Sequence, residues 1–360
     1  MENIEVKNAI NAISEMEKRL EDDISREVFY SRFKYMMYRD IDAYRNEVLD
    51  IVEKNNGVWK ILELDRICKD RTDIRGIVIF GCGVNGRQTY RLIKHSKYNN
   101  LPIVFCDNDQ TKWGDNLFDT KIISPTELEK TYRDYICIIG SSVYRQQILE
   151  QILDEGFPNY NILYPYMGII FADCGKQYFD FFDPISDEVF VDGGVYDGVT
   201  AGVFHNWCNG KYKKIFGFEA NPYCVDRCKE YYTTHLHDSV IIEKALWNEK
   251  ALLKFSGGYS GAARVSDSGG VSVEADTMDS VLSGQRVTLI KMDIEGAEYN
   301  ALRGAEKTIK QNHPRMAISI YHRPCDIVEI PYLIMKFDDT YRFALRHYRS
   351  IGDETVLYAF

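Results

Sequence analysis

The sequence predicts an α/β protein with two Rossmann-like, doubly wound sheets preceded by a short helical segment. Three observations carry this. Two apolar strands each run into a glycine-rich turn, IVIFGCGVNG from Ile77 to Gly86 and VFVDGGVYDG from Val189 to Gly198. After each turn, strand-like and helix-like periodicities alternate, the mark of a parallel sheet with crossover helices. The chain closes on RFALRHYR and TVLYAF, two strand patterns without a helix between them, which read as an antiparallel pair.

At 360 residues the chain exceeds one ordinary core and suggests two domains after the helical segment. The pattern divides it into residues 1–75, 76–165 and 166–360. In the first segment Phe29, Phe33 and Met36 or Met37 recur at helical spacing, as do Tyr44, Val48, Ile51 and Val52. Such stripes are core, with a homo-oligomer contact as the second reading. The second segment runs GIVIF, a helix over RQTYRLIKHS, PIVFCDND, YICIIGS and a helix over YRQQILEQILDEG. The third runs VFVDGG, KIFGFEANP, a helix from about Tyr223, SVIIEKALW, LLKFS, VTLIKMDIEG, one helix over AEYNALRGAEKTIKQ, RMAISIYH and the closing pair. Ser256 to Gly270 reads as a surface loop.

The net charge of −10 argues against a nucleic-acid partner and against an anionic membrane surface. No run approaches the roughly 20 apolar residues of a membrane span, and no signal segment opens the chain, so a cytoplasmic location is expected. The nine cysteines, such as Cys82, Cys106 and Cys137, read as reduced core thiols, and Cys224 with Cys228 as packed thiols rather than zinc ligands.

GCGVNG follows a strand and opens a helix, and Asp107 ends the next strand where a ribose hydroxyl would be held. Gly81, Gly83, Gly86 and Asp107 therefore form a candidate nucleotide or nucleotide-sugar site, with a purely architectural turn as the alternative. VIFGCGVNGRQ, VFCDND, KWGDNLFDTKIISPTEL and YICIIG resemble the small Rossmann-like domains that precede sugar-modifying enzymes such as sugar O-acyltransferases. That resemblance favours a nucleotide sugar over NAD.

The second turn carries Asp192 and Asp197, and carboxylates oppose phosphate at a backbone N–H cradle. A ligand cationic near the turn and free of phosphate fits better, and S-adenosylmethionine meets that description. Glu219 ends the following strand, placed to accept hydrogen bonds from ribose hydroxyls, while Gly193 and Gly194 let the backbone approach the methionine moiety.

EVFVDGGVYDGVT, GFEANP, VTLIKMDIEGAEYNALRGAEKTI, YHRPCDIVEIPYLI and the closing LRHYRS with TVLYAF resemble the FkbM family of S-adenosylmethionine-dependent O-methyltransferases. The resemblance implies a seven-stranded methyltransferase sheet with an antiparallel last strand. It also implies methyl transfer to a hydroxyl, commonly of a sugar or polyketide-type product. The donor site drawn on these segments also takes in Tyr196, Gly198, Ala220, Ala245 and Leu246. Val195 departs from the small residue usual there and would narrow the methionine end.

Asp293, Glu295, Glu298 and His322 reach the carboxyl edge of the same sheet. His322 has the pKa class of a general base. Asp293 is the acid that the family places beside donor and acceptor, and is assigned their orientation. Glu295 caps the helix beginning near Gly296, or with Glu298 contacts substrate or a divalent ion, although no dedicated metal site is predicted. The reading is an O-methyltransferase acting on a small-molecule or glycan acceptor, a step of polysaccharide biosynthesis. A nicotinamide-dependent nucleotide-sugar enzyme using GCGVNG leaves VFVDGGVYDG unexplained, and a non-catalytic binding module leaves the strand-end acids without a role.

Overall fold

The computed structural model describes the chain except residues 1–5, 55–58, 62–63, 65–66, 69–70, 72, 142, 164–168, 172–176, 257–263, 266–269 and 349–353. It forms two compact units, residues 1–44 with 175–360, and residues 45–174. The segment read as residues 1–75 is thus shared between the units.

The first unit is built on seven strands: β1 Glu188–Gly193, β2 Tyr212–Phe218, β3 Ser239–Ile242, β4 Leu289–Met292, β5 Arg315–Ser319, β6 Phe343–His347 and β7 Thr355–Ala359. Their order is β3-β2-β1-β4-β5-β7-β6. Strands β1 to β5 are parallel to one another, and β7 runs antiparallel to both β5 and β6. The apolar runs of β1 and β4 are buried along their whole length, as expected of strands covered on both faces.

After a first helix, Val6–Arg19, the helix Asp23–Tyr38 lies on this sheet, burying Val28, Phe29 and Met36. Asp22 caps it by accepting the Ser25 N–H, and Ser25 Oγ accepts the Leu345 N–H of β6 at 3.0 Å. Glu21 N–H donates to the Phe343 carbonyl, so the chain before the helix pairs with the sheet's edge strand.

Two features differ from the sequence reading. Ala245–Leu246, Val271–Asp276, Ala251–Ser256 and Arg264–Val265 form a separate four-stranded sheet rather than members of the main alternation. A period of two identifies a strand but not the sheet it joins. Arg264–Val265 falls within the presumed loop, most of which lies outside the described residues. The helix over AEYNALRGAEKTIKQ is two helices, Glu298–Arg303 and Glu306–Asn312. Between them Gly304 passes so close to the chain that a Cβ there would stand 2.0 Å from the Trp247 carbonyl oxygen.

The second unit holds a six-stranded sheet in the order Asn116–Leu117, Thr120–Ile123, Ile103–Cys106, Ile77–Phe80, Ile136–Ile139, Ile162–Leu163. All neighbours are parallel except the first pair. The described cysteines are free thiols, Cys224 and Cys228 among the buried ones. Among the described residues no helix is long and apolar enough to cross a membrane.

Candidate functional site

The turn after β1 is held from beneath. Gly194 has φ +81°, and a Cβ there would stand 2.0 Å from the Asp293 carbonyl oxygen, so only glycine fits. Lys291, in the middle of β4, donates to the carbonyls of Gly193 at 3.1 Å and Gly194 at 2.6 Å, and its Nζ lies 3.1 Å from Asp192 Oδ1. Asp192 is fully buried. Burial pushes its carboxyl up against the pull of Lys291. Burial alone would lower Lys291, but Asp192 and Asp293 hold it above the ordinary ammonium range.

Asp192 therefore faces Lys291 and not a ligand. Asp197 accepts the Val199 N–H at 3.0 Å where the next helix begins, and Gly198, with φ +88°, makes room for the Tyr231 ring. Asp192 is thus engaged beneath the turn, and Asp197 holds the start of the following helix. Val195 is buried against Gly217 instead of lining the cleft. Lys291 went unnoticed, although a lone cation inside the apolar run VTLIKM was its signal.

Above the turn lies a cleft with about 600 Å³ of space free of atoms, part of it open to solvent. Gly194, Tyr196, Glu219, Ala220, Asp293 and Glu295 line it, and the small sheet adds an apolar wall that includes Ala245, Leu246 and Phe255. Gly193 lies below, its Cα face against Leu246. Glu219 is 7% exposed and accepts the N–H groups of Tyr196 and Asn221, both at 2.7 Å, through its two oxygens. Burial raises its carboxyl, against those two N–H groups. The sequence reading missed Lys244, which also lines the cleft and pairs with Asp276 at 2.8 Å, and Phe255, because both depend on the small sheet.

At the edge formed by β4 and β5, Asp293 accepts from Tyr178 Oη at 2.9 Å and Tyr321 Oη at 3.2 Å. His322 Nε2 lies 3.5 Å from Asp293 Oδ1 and 3.4 Å from Glu295 Oε2, and its Nδ1 lies 3.0 Å from Glu298 Oε1. Burial would lower the imidazole, yet Glu298 and the other two carboxylates raise its pKa to about 9. At neutral pH the free ring is thus an imidazolium, and the base predicted from sequence is its deprotonated form. Glu295, with φ +58°, does not cap the following helix, which has no side-chain cap. It turns to His322 instead. Glu298 is fully buried and accepts the Ile294 N–H at 2.9 Å.

The other unit has its own cleft, lined by Gly81, Gly83, Asn85, Asp107, Lys112 and Tyr144 among others. Gly81 has φ +109°, and a Cβ on Gly86 would stand 1.8 Å from the Gly81 carbonyl oxygen, so both are required by the turn itself. Gly83 is different: it has φ −74°, and a Cβ there would meet nothing within 4 Å. Asp107 accepts the Cys82 N–H at 2.8 Å and the Asp109 N–H at 2.9 Å, and lies 3.3 Å from Lys112 Nζ.

The strand order, with its antiparallel β7 and a carboxylate-lined cleft at the carboxyl ends of β1, β2 and β4, defines a methyltransferase-like Rossmann fold. Residues 192–349 match the family model of the methyltransferase FkbM domain. Residues 74–163 match the C2185-like N-terminal model. The methyltransferase FkbM from Methylobacillus flagellatus shares 17% identity with a TM-score of 0.47, over 89% of this chain and 99% of its own. Aeropyrum pernix fibrillarin, solved with S-adenosyl-L-methionine, shares 10% with a TM-score of 0.35, over 51% and 71%. A precorrin-6y C5,15-methyltransferase from Geobacter metallireducens shares 9% with a TM-score of 0.32, over 49% and 81%. No curated protein matches the chain.

Proposed function

We propose that the protein is an S-adenosylmethionine-dependent O-methyltransferase acting on a hydroxyl of a sugar, nucleotide sugar or glycan. Glu219 carries the reading. It is a buried carboxylate fixed by two backbone N–H groups at the end of β2, with its remaining lone pairs available to a ligand in a cleft that has one apolar wall. A diol accepted by such a group and a flat apolar ring against Leu246 and Phe255 are what a nucleoside offers. S-adenosylmethionine, when bound, supplies a methyl group on a sulfonium.

The chain's own residues do the rest. Glu219 holds the ribose hydroxyls. Asp293, locked by two tyrosine hydroxyls, orients the acceptor, and positioning of this kind is worth several kcal/mol, about 7–11 at its best. The deprotonated His322 takes the hydroxyl proton, an effect of roughly 10²- to 10⁴-fold. In the other unit, Gly83 is the glycine of the turn for which packing gives no reason, so its missing side chain is explained by close approach of a nucleotide or nucleotide sugar.

The test is a calorimetric titration of the protein with S-adenosylmethionine and, separately, with NAD. Binding of the first alone supports the reading, and binding of NAD alone sinks it.

A further inference from the structure

We infer that His322, Asp293 and Glu295 form a divalent-cation site at the edge of the cleft, with Glu298 positioning the imidazole from its far side. The ion's use in methyl transfer rests on the function proposed above, but its binding does not.

The His322 side chain is only 9% exposed, and neither ring nitrogen makes a hydrogen bond of acceptable geometry, despite three carboxylates within 3.5 Å. Fully buried Glu298 likewise leaves Oε2 without a partner. Buried polar atoms are nearly always satisfied, so two such groups facing one another call for something between or beside them. Three carboxylates around one imidazole leave a net negative charge even when the ring is protonated, and a divalent cation offsets it. Nε2 lies 3.5 Å from Asp293 Oδ1 and 3.4 Å from Glu295 Oε2, so a modest movement of these two carboxylates lets them meet the ring nitrogen on a single ion. Asp293, Glu298 and His322 each bring one ligand atom to within 4.8 Å of the others.

The ring nitrogens point in opposite directions, which assigns the roles. Nε2 faces Asp293 and Glu295, both of which line the cleft, so an ion there is reached from the acceptor side. Nδ1 faces Glu298, which would accept its N–H and fix the tautomer, as carboxylates behind metal-bound histidines do. Tyr178 and Tyr321 hold the Asp293 carboxylate from behind. One nitrogen with two carboxylates suits Mn²⁺ better than an all-oxygen site would, and Mg²⁺ less well. An ion at this place occupies Nε2, so in the metal-bound protein His322 is a ligand and the acceptor hydroxyl is activated by the ion, which lowers the pKa of a hydroxyl bound to it. His322 serves as base only in the metal-free protein.

The probe is Mn²⁺ alone, titrated into the metal-free full chain while free Mn²⁺ is followed by its paramagnetic resonance signal. One ion per chain is expected. His322→Asn and the shape-conserving Glu298→Gln should each weaken binding by about tenfold or more, with melting curves recorded to confirm that both fold. No stoichiometric binding by the wild type, or unchanged binding in folded variants, overturns the site. S-adenosylmethionine titrated in the presence of a chelator separates the two ideas. Donor binding without Mn²⁺ binding removes the ion alone, and the reverse removes the donor reading alone.

Discussion

Lys291 Nζ and Asp192 Oδ1 lie 3.1 Å apart, both buried, at positions directly opposite on the β1–β4 ladder, and the same ammonium holds the two glycine carbonyls of the turn. Removing the cation leaves a buried carboxylate unpaired and the turn without its tie. Lys291→Met should cost about 3–5 kcal/mol in chemical denaturation, and adding Asp192→Asn should recover part of it. A loss near zero would show that the pair is neutral in the folded protein.

Glu219→Gln keeps the side chain's shape but surrenders the charge that strengthens hydrogen bonds to ribose hydroxyls. About tenfold weaker S-adenosylmethionine binding is expected by calorimetry, the equivalent of roughly 1.4 kcal/mol. An unchanged Kd takes Glu219 out of the donor site.

His322→Asn should leave donor affinity nearly normal and lower kcat by about 10²-fold or more, because the imidazole, whether as base or as ligand of the ion, acts only in the transfer step. In metal-free wild type, kcat should rise with pH and level off above about 9, the pH at which the ring loses its proton. Equal losses of affinity and rate in the variant would make His322 structural.

The same shift acts on stability. The folded pKa of about 9 lies above the ordinary 6.5, so the imidazolium's contribution is complete below about pH 6.5 and disappears as pH rises through about 9. Denaturation of the metal-free chain across this range should show the decline, and His322→Asn should flatten it. A wild-type curve as flat as the variant's contradicts the carboxylate cage around the ring.

In the other unit, Gly83→Val and Gly86→Ala should part ways. Gly83 faces open space, so its variant should melt normally and lose nucleotide-sugar binding, whereas a Cβ on Gly86 would strike the Gly81 carbonyl and lower the melting temperature. Normal ligand binding by Gly83→Val leaves that cleft without the proposed occupant.

Much of this arrangement was legible because the strands of a parallel sheet end on one edge. Residues that close strands, such as Glu219, Asp293 and His322, must then gather there however far apart they lie in sequence. Asp192 was misread for a related reason: at the last residues of a strand, sequence does not say whether a side chain points under the turn or over it, and the answer depends on Lys291 across the ladder. The small sheet that walls the cleft was missed because its strands obey the same alternation as the main sheet. The placement of Asp23–Tyr38 on β6 was hidden because an apolar stripe announces burial but not its partner.

The pairing of Glu21 with Phe343 bears on the order in which the chain is finished. Residues 45–174 are contiguous and can complete their sheet while the ribosome is still at work, but the unit of residues 1–44 and 175–360 is interrupted by them. The helix Asp23–Tyr38, made early, finds its strand only after nearly the last residues have been synthesised. Until then its apolar stripe has nowhere native to go, and the edge it covers does not yet exist.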